Sequence, residues 1–434
     1  MVDLSAIYTI YLKLGRVSTD TRKVKPADMF FALKGPNFNG NDFVQQAFDA
    51  GASYCVVDEE RAVIRKKHCI LVKDALQTLQ DLAVYHRKQL PIPVVAVAGS
   101  NGKTTTKELV GAVLNKRLKT FHTEGNLNNH IGVPLSILSI KPDVEIAVLE
   151  LGANHLHETE RLCRFAMPTH GLVTNNGKDH LEGYGSLENV RKGNGELYEY
   201  LRTKGGIAFV SNLQPDLLED SSPMKRFTYG KDGADVVGRV VEAAPLLKFR
   251  FREEKEKGYD VETNLAGAYN FENAMAAVAV GMFFGVEEKD IVAAIEKYKP
   301  GNNRSQYTKH NGNAFIVDCY NANPSSMQVA IESLDAMPDA DKRMAVLGDM
   351  FELGKHSEAE HKSVLQHVAS KKIDRVILVG PEFAKAHQVV GGDAVLFTNV
   401  FDAKAWFERE QPTGYTVLLK GSRGMALEKL LEKK

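Results

Sequence analysis

Residues 94–106, VVAVAGSNGKTTT, carry glycines, a lysine and threonines in an order that suits the phosphates of a nucleotide. The apolar run at 94–98 predicts a buried strand of a parallel sheet. Gly99 and Gly102 let successive backbone N–H groups surround an anion, and a helix that begins near Lys103 directs its positive end to the same point. The segment therefore predicts a binding site for a nucleoside triphosphate.

The side chains of this loop predict individual roles in that site. Lys103 can reach the outer phosphates, and the Thr104 hydroxyl suits Mg²⁺. The loop departs from the usual eight-residue pattern, because Val97 stands five positions before Gly102, where glycine is usual. The alternative is a tight strand-to-helix turn with a surface lysine. The residues expected to contact the nucleotide here are Gly99, Ser100, Asn101, Gly102, Lys103, Thr104 and Thr105.

Two further residues with metal-binding side chains follow predicted strands. Glu150 ends the predicted strand 146–151, where its carboxylate can coordinate the Mg²⁺ of a nucleotide. The alternative is an exposed glutamate at a strand end. His180 follows the next predicted strand, 171–174, and a neutral imidazole there can hold a second metal. Alternatively, it is a polar residue of a surface loop.

Amide side chains are concentrated in two other segments. Residues 123–134, TEGNLNNHIGVP, include Asn126, Asn128 and Asn129, which can bind phosphates or carboxylates of a substrate or supply turn hydrogen bonds. Asn270 and Asn273 lie three positions apart at the start of an apolar helix. That spacing puts both amides on one helical face, where they can flank an adenine or cap the helix.

The last third of the chain adds a third group of polar residues. Arg304 can neutralise a transferring phosphoryl group, and Asp318 ends the predicted strand 314–318, as expected of a ribose or metal contact. The motifs LGDMFELG at 347–354 and KGSR at 420–423 also follow predicted strands. Because the carboxyl ends of parallel strands meet at one edge of a sheet, these clusters indicate a common cleft.

Composition limits the class of protein. The 434 residues suffice for about three domains, and 44% hydrophobic with 25% charged residues is typical of a globular protein. A formal net charge of zero gives no electrostatic support for a nucleic-acid or anionic membrane partner. The N-terminus does not resemble a signal peptide, and the longest apolar run, 274–286, is too short to span a bilayer. The four cysteines lack metal-ligand spacing, which fits the reducing cytoplasm.

The order of predicted elements divides the chain into 1–90, 91–300 and 301–434. Prolines at 91 and 93 and the sequence YKPGN at 298–302 mark the two connections. The middle segment alternates strands (94–98, 146–151, 171–174, 207–211) with helices (104–115, around 157–164, 187–202), which predicts a doubly wound parallel sheet. The last segment repeats the alternation. Two α/β units joined by a linker predict a cleft that closes on its substrates.

Taken in order, the motifs GSNGKTT, TEGNLNNHIGVPL, ELGANH, NNGKDHLEGYGS, GAYNFENAMAA, DCYNANPSSM, LGDMFELG and LLKGSRGM resemble those of the Mur ligases. The resemblance spans nearly the whole chain. It implies an α/β fold of three domains: a UDP-binding α/β domain, a central P-loop ATPase domain with a parallel sheet, and a C-terminal Rossmann-like domain. YNANP at 320–324 and the KGSR motif are similar to the branch that adds D-alanyl-D-alanine.

The resemblance also implies an activity. ATP would phosphorylate the terminal carboxylate of UDP-N-acetylmuramoyl-tripeptide, and the amine of D-alanyl-D-alanine would attack the resulting acyl phosphate to form a peptide bond. This is a cytoplasmic step of peptidoglycan precursor synthesis, carried out by a monomer without nucleic-acid or membrane partners. The alternatives are another amide ligase of the superfamily, such as folylpolyglutamate synthase, and a non-catalytic nucleotide-binding relic. YNANP and KGSR argue against the first, and the complete phosphate loop against the second.

Site residues follow from the resemblance position by position. It implies catalytic roles for Lys103, Glu150, His180 and Arg304. Two Mg²⁺ ions would be held by Thr104, Glu150 and His180. The nucleotide would also meet Asn270, Asn273, Arg304 and Asp318. Substrates would contact Ser18, Asp20, Thr21, Arg22, Thr123, Asn126, Asn129, Tyr320, Asn321 and Asn323.

One position departs from the family pattern. The family carries a carbamylated lysine on the helix after its HLEG(F/Y)G motif, in the context K-G-E, and this lysine helps to hold the second Mg²⁺. Here the corresponding residues are KGNGE at 192–196, so Asn194 occupies the place of that lysine. Lys192 is two residues away, about 200° around a helix, and cannot substitute without a shift of register. The sequence thus predicts an enzyme without the carbamate.

Overall fold

The computed structural model describes residues 3–252, 258–301, 303–338 and 340–432. Asn302, the last residue of the predicted second linker, lies outside them. The described residues form three large sheets flanked by helices, in the chain order that the sequence predicts, and a small two-stranded sheet in the N-terminal part. The predicted domain limits at 90 and 300 stay a prediction.

The N-terminal part folds around a parallel sheet with strand order β1-β2-β5-β6. Asp3 and Asp74 cap the long helices α1 and α3 by accepting backbone N–H groups, as aspartates at this position commonly do. The elements are α1 Leu4–Leu14, β1 Val17–Ser18, β2 Met29–Phe31, β3 Lys34–Gly35, β4 Phe38–Asn39, α2 Val44–Asp49, β5 Tyr54–Val57, β6 Cys69–Leu71 and α3 Ala75–Lys88.

The middle part contains a large sheet with order β15-β14-β13-β12-β11-β10-β7-β9-β8. The elements are β7 Val94–Ala98, α4 Lys103–Leu114, β8 Thr120–His122, α5 Gly132–Leu138, β9 Ile146–Glu150, α6 Glu158–Ala166, β10 His170–Val173, α7 Leu181–Tyr184, α8 Leu187–Lys204, β11 Ile207–Ser211, α9 Pro215–Asp220, β12 Lys225–Gly230, β13 Val236–Glu242, β14 Lys248–Phe251, β15 Tyr259–Glu262, α10 Asn270–Phe283 and α11 Glu288–Lys297.

Strand β7 lies between β9 and β10 and is parallel to both, so the loops after these three strands leave one edge of the sheet together. Every residue of β7 is buried, as predicted from its unbroken apolar run. The predicted strands β7, β9, β10 and β11 are parallel to one another, as predicted. At the far edge, β13, β14 and β15 pair antiparallel, and antiparallel strands need no crossover helices.

The C-terminal part forms a third sheet, with order β16-β17-β21-β18-β19-β20. It is parallel except for β16, which forms a hairpin with β17. The elements are β16 Gln306–His310, β17 Asn313–Val317, α12 Pro324–Asp335, β18 Lys342–Gly348, α13 Ser357–Ala369, β19 Arg375–Val379, α14 Pro381–Val390, β20 Ala394–Phe397, α15 Val400–Glu410 and β21 Tyr415–Lys420.

The three parts pack against one another through apolar and polar contacts. Tyr11 Oη donates to the carbonyl of Leu138 at 2.6 Å, which joins α1 to α5. On the other side, Leu181 belongs to the same buried cluster as Met350 and Leu353 of the C-terminal part. Among the described residues, no helix is long and apolar enough to cross a membrane.

Candidate active site

A cavity of about 710 Å³ lies where the phosphate loop of the middle domain faces the C-terminal domain. The loops after β7, β9 and β10, the start of α10 and the start of α12 all contribute to its wall. Among the predicted site residues, the cavity is lined by Ser100, Asn101, Gly102, Lys103, Thr104, Thr105, Asn126, Asn129, Glu150, His180, Asn270, Asn273, Arg304, Asp318, Tyr320, Asn321 and Asn323.

The phosphate loop depends on its two glycines. Gly99 and Gly102 have φ angles of +116° and +83°, which side chains rarely tolerate. A Cβ atom at Gly99 would lie 2.3 Å from Thr174 Oγ1, and one at Gly102 would lie 2.4 Å from Asn273 Oδ1. The loop therefore combines a left-handed turn with the N-terminus of α4, and this combination orients backbone N–H groups toward an anion.

Lys103 folds back over its own loop. Its Nζ donates to the carbonyl of Gly99 at 2.5 Å and of Ser100 at 3.0 Å, and it lies 3.9 Å from Asp179 Oδ2. The side chain is only 15% exposed, which differs from the exposed loop lysine of the alternative interpretation. The ammonium group is thus held at the mouth of the loop, where it can exchange carbonyl oxygens for phosphate oxygens.

Asn175, in the loop after β10, fixes the phosphate loop from the neighbouring strand. Its backbone carbonyl accepts from Ser100 N at 2.9 Å, and its side-chain Oδ1 accepts from Asn101 N at 3.1 Å. Its Nδ2 donates to the carbonyl of Asn101 at 3.0 Å. Of this loop, only His180 was predicted as a site residue, although the position of Asn175 directly after a predicted strand could have indicated it as well.

Glu150 lies at the end of β9 with only 1% of its surface exposed. Its Oε1 accepts from Asn128 Nδ2 at 2.7 Å, and its backbone N–H donates to Thr123 Oγ1 at 3.0 Å. Its other oxygen, Oε2, is buried and has no hydrogen-bond partner among the described residues. A buried carboxylate oxygen without a donor among the described residues, in the cavity that Thr104 also lines, fits a cation ligand.

His180 lies in the loop after β10 and directly precedes α7. Its Nδ1 lies 2.7 Å from Glu352 Oε2 of the C-terminal domain, and its Nε2 lies 3.6 Å from Asp179 Oδ1. Burial alone lowers the pKa of the imidazole, but the carboxylates of Glu352 and Asp179 outweigh it and raise that pKa. His180 is therefore surrounded by negative charge, as a residue close to a cation would need to be.

Asn270 and Asn273 line the cavity from the start of α10 and are largely engaged within the protein. Asn270 Nδ2 donates to the carbonyl of Ala266 at 2.8 Å, and its Oδ1 accepts from Asn273 Nδ2 at 3.0 Å. Asn273 Oδ1 accepts from Thr106 Oγ1 at 3.0 Å, which ties α10 to α4. The two amides are adjacent, as their spacing predicts; contact with an adenine stays a prediction.

The C-terminal domain contributes an asparagine to the phosphate loop. Asn323 caps α12, and its Nδ2 donates to Asn101 Oδ1 at 2.8 Å and Asp179 Oδ1 at 3.2 Å. The backbone N–H of Lys178 donates to Ser325 Oγ at 2.8 Å beside it. These contacts close the cavity from the C-terminal side.

Two more predicted residues of this domain complete the wall. Arg304 stacks on Tyr320, with its guanidinium carbon 3.8 Å from the ring centroid, and its buried Nε has no partner among the described residues. Asp318 accepts from Ser305 N at 3.1 Å and from Lys420 Nζ at 2.7 Å. Lys420 belongs to the KGSR motif and is 2% exposed, so the pair joins two predicted motifs.

Asn194 faces the cavity side of α8, and Lys192 does not. The Asn194 side chain is buried, and its Nδ2 donates to Asn176 Oδ1 at 2.9 Å and to Ser100 Oγ at 3.4 Å. Lys192 is 62% exposed and pairs with Glu188 at 2.8 Å on the outer face of the helix. The helical register predicted from the sequence is therefore observed.

Five predicted substrate residues do not line this cavity. In the N-terminal domain, Asp20 caps the short turn Thr21–Lys23 and pairs with Arg22 at 2.8 Å, while Ser18 Oγ donates to the carbonyl of Asp20. Thr123 is fully buried and accepts from Glu150 N, so its hydroxyl acts inside the protein. Cavity residues that the sequence did not single out include Asn154, Asn175, Asn176, Asp179, Tyr269 and Glu272, whereas Asn128 and Lys420 belong to segments that it did.

Metal binding by protein side chains alone has little support. Within the described ranges, no group of three or more histidine, cysteine, aspartate or glutamate residues is arranged to hold a metal ion. A cation here would therefore need phosphate oxygens or water besides Thr104, Glu150 and His180. Mg²⁺ bound to a nucleotide commonly uses such a mixed set of ligands.

A phosphate-binding loop in a parallel sheet, facing a second α/β domain across a polar cavity, defines a P-loop protein with a divided site. The chain belongs to the Mur ligase family. It matches the family's catalytic domain over residues 13–105, the Mur ligase middle domain over 97–281, and the Mur ligase glutamate ligase domain over 303–423.

Individual relatives extend this assignment over nearly the whole chain. UDP-N-acetylmuramoyl-tripeptide–D-alanyl-D-alanine ligase from Bacillus subtilis is 34% identical, covering 96% of this chain and 92% of the relative. The crystal structure of MurF from Acinetobacter baumannii superposes with a TM-score of 0.85 at 30% identity, covering 96% and 92%. MurF ligase from Thermotoga maritima, solved in complex with ADP, gives 0.81 at 27% identity, covering 99% and 97%.

Proposed function

We propose that this protein joins D-alanyl-D-alanine to UDP-N-acetylmuramoyl-tripeptide at the expense of ATP. The observation that carries the proposal is one cavity that unites the phosphate loop, the Glu150 oxygen that lacks a hydrogen-bond partner among the described residues, and the C-terminal Arg304. Similarity over nearly the whole chain to the UDP-N-acetylmuramoyl-tripeptide–D-alanyl-D-alanine ligase of Bacillus subtilis supports the choice of substrates. The reaction forms an acyl phosphate on the terminal carboxylate of the tripeptide, and the dipeptide amine displaces the phosphate.

The residues of this chain act mainly by stabilising charge and by orienting the reactants. Lys103 and the loop N–H groups stabilise the negative charge on the transferring phosphoryl group. Arg304 approaches from the C-terminal domain, and its stacking on Tyr320 holds the guanidinium flat against the cavity wall. Asn126 and Asn129, which line the same cavity, offer amide groups to the acceptor substrate.

Mg²⁺ is part of the proposal, because the donor set fits it. Thr104 and Glu150 would hold one ion, and His180 would help to hold a second. When bound, the ions neutralise phosphate charge and polarise the transferring group. Asn128 keeps Glu150 oriented for this role by donating to its Oε1 at 2.7 Å. The adenine would lie near Asn270 and Asn273, and the UDP group near Ser18, Asp20, Thr21 and Arg22.

The test is release of ADP by the purified protein. With UDP-N-acetylmuramoyl-tripeptide, ATP and Mg²⁺ present, we expect ADP only when D-alanyl-D-alanine is added, together with a product heavier by the dipeptide. Tripeptides that end in diaminopimelate or lysine should be compared. Turnover with folate and glutamate would favour the alternative amide ligase, and nucleotide binding without any turnover would favour a relic.

Location and assembly complete the proposal. ATP is supplied in the cytoplasm, so a ligase that consumes it and a UDP-linked precursor is proposed to act there. We propose a monomer without a nucleic-acid partner, in keeping with the formal net charge of zero. Light scattering of the purified protein at working concentration tests the monomeric state directly.

A further inference from the structure

A carboxylate of the C-terminal domain reaches the histidine of the cavity across the domain interface. Glu352 Oε2 lies 2.7 Å from Nδ1 of His180. The imidazole is 17% exposed and lines the cavity, whereas the glutamate side chain is 52% exposed. The distance between the two atoms is that of a hydrogen bond, but their angles fall outside regular hydrogen-bond geometry.

The start of the segment that carries Glu352 is anchored by a buried carboxylate. Asp349 is 1% exposed, and its two oxygens accept from the first N–H groups of α14. Phe383 N lies 2.9 Å from Oδ1, and Glu382 N lies 3.0 Å from Oδ2. This interaction fixes the end of β18 against the neighbouring helix.

The next two residues are anchored in turn. The backbone N–H of Met350 donates to Nε2 of the fully buried His361 at 3.0 Å. The backbone N–H of Phe351 donates to Ser422 Oγ at 2.8 Å. Ser422 belongs to the KGSR motif, so this motif anchors the LGDMFELG segment that carries Glu352.

Glu352 itself has a constrained backbone. Its φ is +61°, a left-handed conformation that residues other than glycine rarely adopt without tertiary support. Its carbonyl accepts from the backbone N–H of Glu182, two residues after His180, at 3.0 Å. The backbone is therefore docked on the start of α7, and the side chain points at the imidazole.

We propose that Glu352 is a positioning residue that orients the His180 ring, with Nδ1 toward the carboxylate and Nε2 toward the bound nucleotide. A carboxylate beside one ring nitrogen fixes the tautomer and makes the other nitrogen a better ligand. Glu352 belongs to the C-terminal domain, so His180 becomes competent only while that domain is docked. This inference rests on the proposed function and adds a reason why ligation depends on domain closure.

The test compares Glu352→Ala and Glu352→Gln with Glu182→Gln, a matched loss of charge at the same interface. The first readout is the ¹⁵N shift of the His180 ring in protein labelled at histidine, assigned with His180→Gln. The second is binding of Mn²⁺ in the presence of adenylyl imidodiphosphate, measured by electron paramagnetic resonance. The third is kcat and KM in the ligation assay.

We expect Glu352→Ala to shift the His180 resonances, to weaken Mn²⁺ binding about 10-fold and to lower kcat about 10-fold. KM for D-alanyl-D-alanine should stay within about two-fold, since positioning acts on chemistry rather than on dipeptide binding. Glu352→Gln keeps an acceptor oxygen and should be intermediate, and Glu182→Gln should match the wild type.

Unchanged ring shifts and Mn²⁺ affinity in Glu352→Ala would overturn the proposal. Failure of the proposed function has a different signature. In that case the wild type would release no ADP with the dipeptide, although the ring shifts would still respond to Glu352→Ala.

Discussion

At the scale of single residues, the site depends on charged atoms whose partners leave room for a phosphate. Lys103 is bound to carbonyls of its own loop, and Glu150 has one oxygen without a donor among the described residues. Both side chains are mostly buried, so each interacts strongly with a new charge that enters the cavity. Their removal should affect chemistry far more than folding.

Lys103→Ala is the direct test of the phosphate loop. We expect kcat to fall at least about 100-fold, because the ammonium stabilises charge on the transferring phosphoryl group. The loss of two hydrogen bonds should lower the free energy of unfolding by only about 1 kcal/mol. Steady-state kinetics and urea unfolding measure the two effects. Near-normal turnover in a folded variant would contradict the nucleotide-site assignment.

Asn194 predicts an unusual metal dependence. A neutral amide carbonyl is a weaker Mg²⁺ ligand than a carbamate, so the second ion should bind more weakly than in relatives with lysine at this position, with water filling the gap. Activity should therefore need more Mg²⁺, and bicarbonate should not stimulate it. Titrations of wild type, Asn194→Lys and Lys192→Ala with Mg²⁺, each with and without bicarbonate, measure this.

The structure specifies the expected role of Lys192. Its ammonium pairs with Glu188 on the outer face of α8, so Lys192→Ala should leave the titration unchanged. If wild-type activity needs bicarbonate and the Lys192→Ala variant loses that response, the carbamate has moved to Lys192, and our interpretation is wrong.

At the scale of elements, β10 begins with a histidine among aromatic rings. His170 stacks on Phe209 and meets Phe283 and Phe284 edge-on, and burial lowers the pKa of its imidazole to about 4. The folded protein thus favours the neutral ring. In the unfolded chain the ring takes up a proton near its ordinary pKa of about 6.5.

His170 should make the fold sensitive to acid. Above pH 6.5 the ring is neutral in both the folded and the unfolded state, so its titration does not change the free energy of unfolding. As the pH drops from 6.5 toward 4, only the unfolded state binds the proton, and the free energy of unfolding falls. Between pH 7 and pH 5, wild type should lose about 1 kcal/mol more than His170→Phe, allowing for partial solvent screening. Urea unfolding at both pH values checks this, and equal losses in the two proteins would refute it.

At the scale of the whole molecule, one site is divided between two domains. Asn323 and Arg304 follow the second linker, yet they line the same cavity as the phosphate loop. Asn323 also donates a hydrogen bond to Asn101 of the phosphate loop. A divided site of this kind needs hinge motion for entry and closure for chemistry.

We therefore expect small-angle scattering to show a smaller radius of gyration when an ATP analogue and UDP-N-acetylmuramoyl-tripeptide are both bound. The contacts of Asn323 and Glu352 with the middle domain identify the closed arrangement. An unchanged radius, with binding of both ligands verified by calorimetry, would count against domain closure.

Much of the fold could be predicted from local patterns. The predicted bounds of β7 and β11 are those observed, because unbroken apolar runs report burial directly. The antiparallel strands β13–β15 were not predicted, since their half-exposed, charged sequences resemble loops. Pairing with a neighbour, which local sequence does not encode, makes them strands.

For the candidate site, the sequence alone determined which residues can meet a nucleotide, because glycine, lysine and strand-end carboxylates have few other uses in that order. Only the tertiary structure decided how those residues are engaged. It paired Asp318 with Lys420, buried Asn194 against Asn176, and brought Glu352 to His180. These contacts join different segments of the chain, and no local periodicity reports them, because they arise only when separate strands, helices and domains pack together.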